Sequence, residues 1–114
     1  LGDCSILMTG DIDIATEKDV VDGQSTDGIK ADILKIAHHG SKYSTSDDFL
    51  GKTDPQTAVF STGKNNYGHP DSSILEKCRE KGIMIFRTDV NGAIGLFDCY
   101  ESPSPYFRTI KKGT

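Results

Sequence analysis

Apolar residues along this chain come in short, separate blocks, and the spacing within each block predicts its form. Residues 4–9 (CSILMT) make a continuous apolar run bounded by glycines, the pattern of a buried strand. The stretch 15–21 (ATEKDVV) suits about two helical turns with Thr16 as a cap, and 22–28 is a loop by composition. A second strand is predicted over 33–37, ending at His38 and His39, and Gly40 permits a tight turn there. Ser46, Asp47 and Asp48 read as a helix start with Phe49 and Leu50 on the inner face, and the helix ends by Asp54 and Pro55.

A third strand is predicted over 57–61 and a polar, glycine-bounded loop over 63–70. Asp71 or Ser72 caps a helix through about Lys81, with Ile74, Leu75 and Cys78 at helical spacing and Gly82 placed for the C-terminal cap. Residues 83–87 and 93–99 form further strands, joined by a turn at 89–92 whose Asn91-Gly92 suits a hairpin. Residues 106–110 suit a sixth strand, Ser102 to Pro105 separate it from the fifth, and the Lys-rich end is a frayed tail. Strands and helices alternate and then a hairpin closes the chain, which predicts an α/β fold with a mixed β-sheet.

At 114 residues the chain suits one domain. With 35% hydrophobic and 26% charged residues it reads as globular with a modest core, and no apolar run approaches the roughly 20 residues of a membrane span. The N-terminus has no basic-then-apolar signal pattern, and the apolar block close to Leu1 suggests a piece of something longer. A net charge of −4 argues against strong non-specific binding to nucleic acid, though not against nucleic acid as a substrate held by metal ions. Cys4, Cys78 and Cys99 are widely spaced without a CxxC pair, so buried free thiols and a reducing compartment are the expectation.

The chemistry gathers in three corners. Asp11 follows an apolar strand and Gly10, so it would emerge at a sheet rim as a metal ligand, or serve as a turn residue or cap. His38 and His39 would point to opposite faces unless the chain turns at Gly40. One would then bind a metal while the other meets an anionic substrate, or both are a surface pair. Ser41, Ser44, Thr45 and Ser46 are candidate phosphate contacts, or ordinary loop and cap residues. Pro70 holds His69 extended, a geometry suited to a general acid or phosphate contact, though a loop histidine without a role fits equally. Lys64, Asn65, Asn66 and Tyr67 would contact an anion or form a solvated loop.

Four motifs in order resemble one family: ILMTGD at 6–11, ADILKIAHHGS at 31–41, GKNNYGHP at 63–70 and RTDVNGAI at 87–94. It is the metallo-β-lactamase superfamily, in the branch of the ComEC-type DNA-internalisation proteins. The resemblance covers about residues 1–96 and implies an αββα sandwich with a two-metal site at its rim, holding Zn²⁺ or alternatively Mn²⁺. It implies that Asp11 and His39 ligate metal, that His38 faces the substrate or orients the ligand, and that His69 lies near a scissile phosphate. Ser41, Lys64 and Asn66 become candidate substrate contacts.

The superfamily's histidine-x-histidine-x-aspartate-histidine motif is absent from these residues. The chain therefore resembles the C-terminal half of such a domain over 1–101, with 102–114 as a terminal strand or tail. The missing N-terminal half would carry most ligands, leave no independent catalysis here, and expose a sheet face and edge open to a second copy. The expected function is part of a phosphoester or nucleic-acid hydrolase working by metal-bound hydroxide. The rival readings are a non-catalytic interaction module on the same scaffold and a plain α/β domain with incidental histidines. Location stays open between the cytoplasm and the soluble part of a bacterial membrane protein.

Overall fold

The computed structural model describes residues 5–23, 26–63, 68–97 and 106–110. Strand β1 (Ile6–Met8) leads to helix α1 (Ile14–Asp22), a 3₁₀ turn at Thr26–Ile29 and strand β2 (Ile33–Lys35). A second 3₁₀ turn at Ala37–Gly40 precedes α2 (Asp47–Thr53), β3 (Thr57–Phe60), α3 (Ser72–Glu80) and β4 (Met84–Arg87). A single helical turn, α4 (Thr88–Asn91), then leads into β5 (Ala93–Phe97) and β6 (Tyr106–Ile110).

The four early strands lie side by side in chain order, β1-β2-β3-β4, and every pair is parallel. The register aligns Leu7, Leu34, Ala58 and Ile85 across the sheet. Successive parallel strands joined in this order place their crossover helices on one face. The core bears this out. Leu34, Ala58, Ile36 and Phe60 pack in one cluster with Phe49 and Leu50 of α2 and with Ile74, Leu75 and Cys78 of α3. Leu7, Ile85 and the α1 residues Val20 and Val21 join at its margin. Full burial of a Phe side chain such as Phe60 contributes roughly 2–3 kcal/mol, so this cluster is the main source of cohesion. At the outer strands Ile6, Met8 and Met84 remain open to solvent.

The mixed sheet expected from the sequence is corrected. β4 lies beside β3 in the parallel sheet, and β5 pairs antiparallel with β6 in a separate ribbon. The Asn91-Gly92 hairpin between β4 and β5 does not form. Residues 88–91 coil into α4 instead, because the Asn91 side chain accepts the Arg87 N–H at 2.8 Å and ties the turn back to the strand end. The described elements likewise form one four-stranded sheet and a two-stranded ribbon, not the paired sheets of an αββα sandwich.

The helix signals hold with one change of cap. Asp13, not Thr16, caps α1: its carboxylate accepts the Thr16 N–H at 2.9 Å and the Thr16 hydroxyl at 2.8 Å. Ser46 caps α2 by accepting the Phe49 N–H, and Asp71 caps α3 by accepting the Ser73 N–H. Gly82, at φ +70°, closes α3 in the left-handed conformation that the C-terminal cap requires. The Ser102 to Pro105 spacer and the Lys-rich end lie outside the described residues.

Candidate functional site

Because the four strands are parallel, the chain segments after them meet along one rim, the edge where open α/β sheets place ligands. The Asp11, His38-His39 and His69 corners all lie there. They are stitched together by hydrogen bonds rather than by proximity in sequence.

The first two corners are joined at four points. The Thr9 hydroxyl donates to the Lys35 carbonyl at 2.6 Å, and the His38 N–H donates to the Gly10 carbonyl at 2.9 Å. The Ser44 hydroxyl donates to the Ile12 carbonyl at 2.6 Å, and the Ile14 N–H donates to the Tyr43 carbonyl at 3.0 Å. Asp11 thus stands in a turn held on both sides by the histidine loop, with its own side chain exposed.

The turn that admits both histidines is made by the histidines themselves. His38 (φ 50°, ψ 42°) and His39 (φ 55°, ψ 23°) both adopt left-handed backbone, and Gly40 continues it at φ +87°. Each non-glycine residue in that region costs about 1 kcal/mol or more, and such strain gathers at functional sites. Its effect is to swing both rings to the rim instead of to opposite faces.

The two rings have different surroundings. His39 Nδ1 lies 2.6 Å from the Ser61 carbonyl oxygen, which can only accept, so Nδ1 carries the proton and Nε2 the lone pair of the neutral ring. A backbone carbonyl on one nitrogen with the other left as donor is the arrangement of metal-ligating histidines. His38 instead meets His69 edge to face, with ring centroids 5.6 Å apart. The His69 corner is locked to the loop by the Asp71 N–H, which donates to the Gly40 carbonyl at 2.8 Å.

Ser41 is 2% exposed, and its Oγ accepts the Tyr43 N–H at 3.2 Å, so this hydroxyl organises the loop. Lys64 and Asn66 lie outside the described residues. Among the described residues no three His, Cys, Asp or Glu side chains come together as a metal-holding group. Asp11 and His39 are donors of suitable chemistry, but two side chains alone do not make a metal site.

Three contributors have no role assigned by the sequence, although Arg87 and Thr88 fall within its fourth motif. Glu17, 1% exposed in α1, accepts the Thr45 and Ser46 N–H groups with its two carboxylate oxygens and so holds the far end of the histidine loop. Its charge in an otherwise ordinary helix carried no signal of burial. Thr88 bridges the ends of β3 and β4, its hydroxyl donating to the Thr62 carbonyl at 2.7 Å and accepting the Thr62 N–H at 2.8 Å. Arg87 forms a two-pronged ion pair with Asp89 at 2.7 Å and 3.0 Å, which holds the Asp89 carboxyl below the usual carboxylate range.

No protein-family model and no solved structure matches the chain. Among curated proteins it is 43% identical over 94 residues to ComE operon protein 3 of Bacillus subtilis, 82% of this chain and 12% of that one. It is 37% identical over 94 residues to competence protein ComA of Neisseria gonorrhoeae, covering 14% of it. It is 34% identical over 94 residues to recombination protein 2 of Haemophilus influenzae, covering 11% of it. The chain thus spans a small part of the length of each relative it matches. The chain is a homologue of one segment of these competence and recombination proteins.

Proposed function

We propose that this chain is a segment of a DNA-internalisation protein and that its rim takes part in cleaving phosphoester bonds of nucleic acid. The observation that supports this best is the meeting of the His38 and His69 rings at 5.6 Å beside the Asp11 corner, in a homologue of competence proteins. On this reading the chain is kin to the metallo-β-lactamase superfamily, with Asp11 and His39 as its two donors to a Zn²⁺ or Mn²⁺ centre. The remaining ligands would come from outside the described residues. Bound metal would supply a hydroxide nucleophile and neutralise charge on the phosphate.

The chain's own residues do the rest. The Ser61 carbonyl fixes the His39 ring and its tautomer, so Nε2 is presented without further ordering. His38 and His69, edge to face, would donate hydrogen bonds to phosphate oxygens, and one of them would protonate the leaving oxygen. The open apolar side chains of Ile6 and Met8 on the edge strand β1 support a protein partner there, either a second copy or another part of the parent protein.

A second reading is a non-catalytic binding module on this scaffold. It is favoured by the absence, among the described residues, of three converging metal-ligating side chains. Calorimetric titration with Zn²⁺ and with Mn²⁺ tests the metal centre, run beside the Asp11→Ala/His39→Ala double variant. Binding that the double variant loses supports the metal centre. No binding, or binding that the variant keeps, means that the site needs the missing half of the fold or that Asp11 and His39 serve structure alone.

A further inference from the structure

The loop that carries the histidines also carries an aromatic ring and a cation to which neither the fold nor the site assigns work. Ser41, Ser44 and Thr45 are each at most 2% exposed, whereas Lys42 between them is exposed and so is Tyr43, at 66%. The Tyr43 backbone is fixed at both ends, the N–H on the Ser41 hydroxyl and the carbonyl on the Ile14 N–H. The Lys42 ammonium stands 5.3 Å from the ring centroid, covering the ring with positive charge.

The position of this pair matters as much as its chemistry. Tyr43 bonds Ile14, three residues beyond Asp11, so it lies on the Asp11 side of the rim. Gly40, two residues before Lys42, takes the Asp71 N–H on its carbonyl, so the same loop is tied to the His69 side. The loop therefore joins the Asp11 corner to the His69 corner. The Asp71 carboxylate takes the Ser73 N–H and hydroxyl on one oxygen and partly offsets the Lys42 charge.

We propose that Tyr43 and Lys42 form a docking platform for single-stranded nucleic acid, Tyr43 stacking on a base and Lys42 meeting the adjoining phosphate. A ring with a cation on it and a solvent-open surface is the pairing that single-strand binders repeat along their grooves. One such pair on a chain of net charge −4 makes a weak, local contact that positions a strand at the rim, not a non-specific nucleic-acid surface. The platform rests on the nucleic-acid reading above but needs no metal.

The test is fluorescence anisotropy of the full chain at low salt, with labelled single-stranded oligothymidylate and, beside it, a strand of the same length with abasic sites. Tyr43→Ala is expected to weaken binding to oligothymidylate about tenfold and to leave the abasic strand unchanged, because stacking needs the base. Tyr43→Phe keeps the ring and is expected to bind as the parent does. Lys42→Gln is expected to weaken both strands and to flatten the salt dependence by about 0.7 in log–log slope. Both side chains are exposed, and Tyr43 bonds its neighbours through its backbone, so these variants fold. Oligothymidylate binding that Tyr43→Ala leaves unchanged overturns the platform and spares the proposed function. Equal losses on both strands also overturn it. Failure of the parent chain to bind either strand overturns the platform together with the nucleic-acid reading, whatever the metal titration gives.

Discussion

Gly40 and Pro70 pack so closely that a Cβ built on Gly40 would stand 2.6 Å from the Pro70 Cβ and 2.8 Å from its Cα. No side chain fits that space, and the Gly40 backbone, at φ +87°, is one that other residues rarely adopt. This contact presses the His38-His39 corner onto the His69 corner. Gly40→Ala is expected to destabilise the protein by about 3 kcal/mol, combining backbone strain with overpacking. Gly10→Ala is the control. Its φ is +59° but nothing lies within 4 Å of the added Cβ, so the expected loss is about 1 kcal/mol. Urea unfolding of the two variants compares them, and equal losses would show that the Pro70 contact contributes nothing.

Glu17 makes the second constraint on the same loop. Its buried carboxylate takes the N–H groups of Thr45 and Ser46, and Thr45 itself has left-handed backbone at φ 58°. Glu17→Ala would strand both amides and is expected to cost about 3 kcal/mol. Glu17→Gln keeps one acceptor but sets an NH₂ group against an amide N–H, so it should lose nearly as much. Hydrogen exchange at Thr45 and Ser46 is the direct check: both amides should exchange faster in either variant, ahead of the core.

The acid limb of stability should carry the signature of the α3 cap. Hydrogen bonds from the Ser73 hydroxyl and N–H hold the Asp71 carboxyl below its usual range. A depressed folded pKa means that the cap's contribution is full above the unfolded value of about 4, and is lost as pH falls through the lower folded value. Asp71→Asn retains a good cap without a titrating group. Its stability should therefore fall less steeply than the parent's between about pH 4 and pH 2, as read by thermal unfolding across that window. Parallel curves would remove Asp71 from the acid response.

Cys78 should be inert while the protein is folded. Burial in the core cluster pushes its thiol up to about 11, so the reactive thiolate is scarce at neutral pH. Treatment with a thiol-specific reagent at pH 8, followed by peptide mapping, should find Cys78 unlabelled in native protein and labelled in urea. Rapid native labelling would mean that the α3 face opens locally.

Local pattern made much of this architecture readable. The apolar runs before Gly10 and His38, the Ser46 and Asp71 caps and the glycine after α3 are short-range features, and each is set by residues within one turn of it. What failed was partner choice. Asn91-Gly92 carries a strong hairpin signal, but residues 88–91 coil into α4, the Asn91 side chain is spent on the Arg87 amide, and β5 pairs with β6. Strand pairing is decided by long-range burial, which a turn signal cannot report.

The candidate site divides in the same way. The identity and order of Asp11, His38, His39 and His69, and their position after apolar runs, are properties of the chain, and they sufficed to mark three corners. Their meeting is a property of the fold. It depends on a parallel register that sends every strand end to one rim, and on three consecutive left-handed residues ending at Gly40. It depends also on carbonyls that only the packed structure supplies: Gly10 for the His38 amide and Ser61 for the His39 ring. Hydrogen bonds between residues more than twenty positions apart leave no periodicity behind them. The chain could thus advertise which groups carry the chemistry, while their distances, tautomers and strained backbone were settled by tertiary packing.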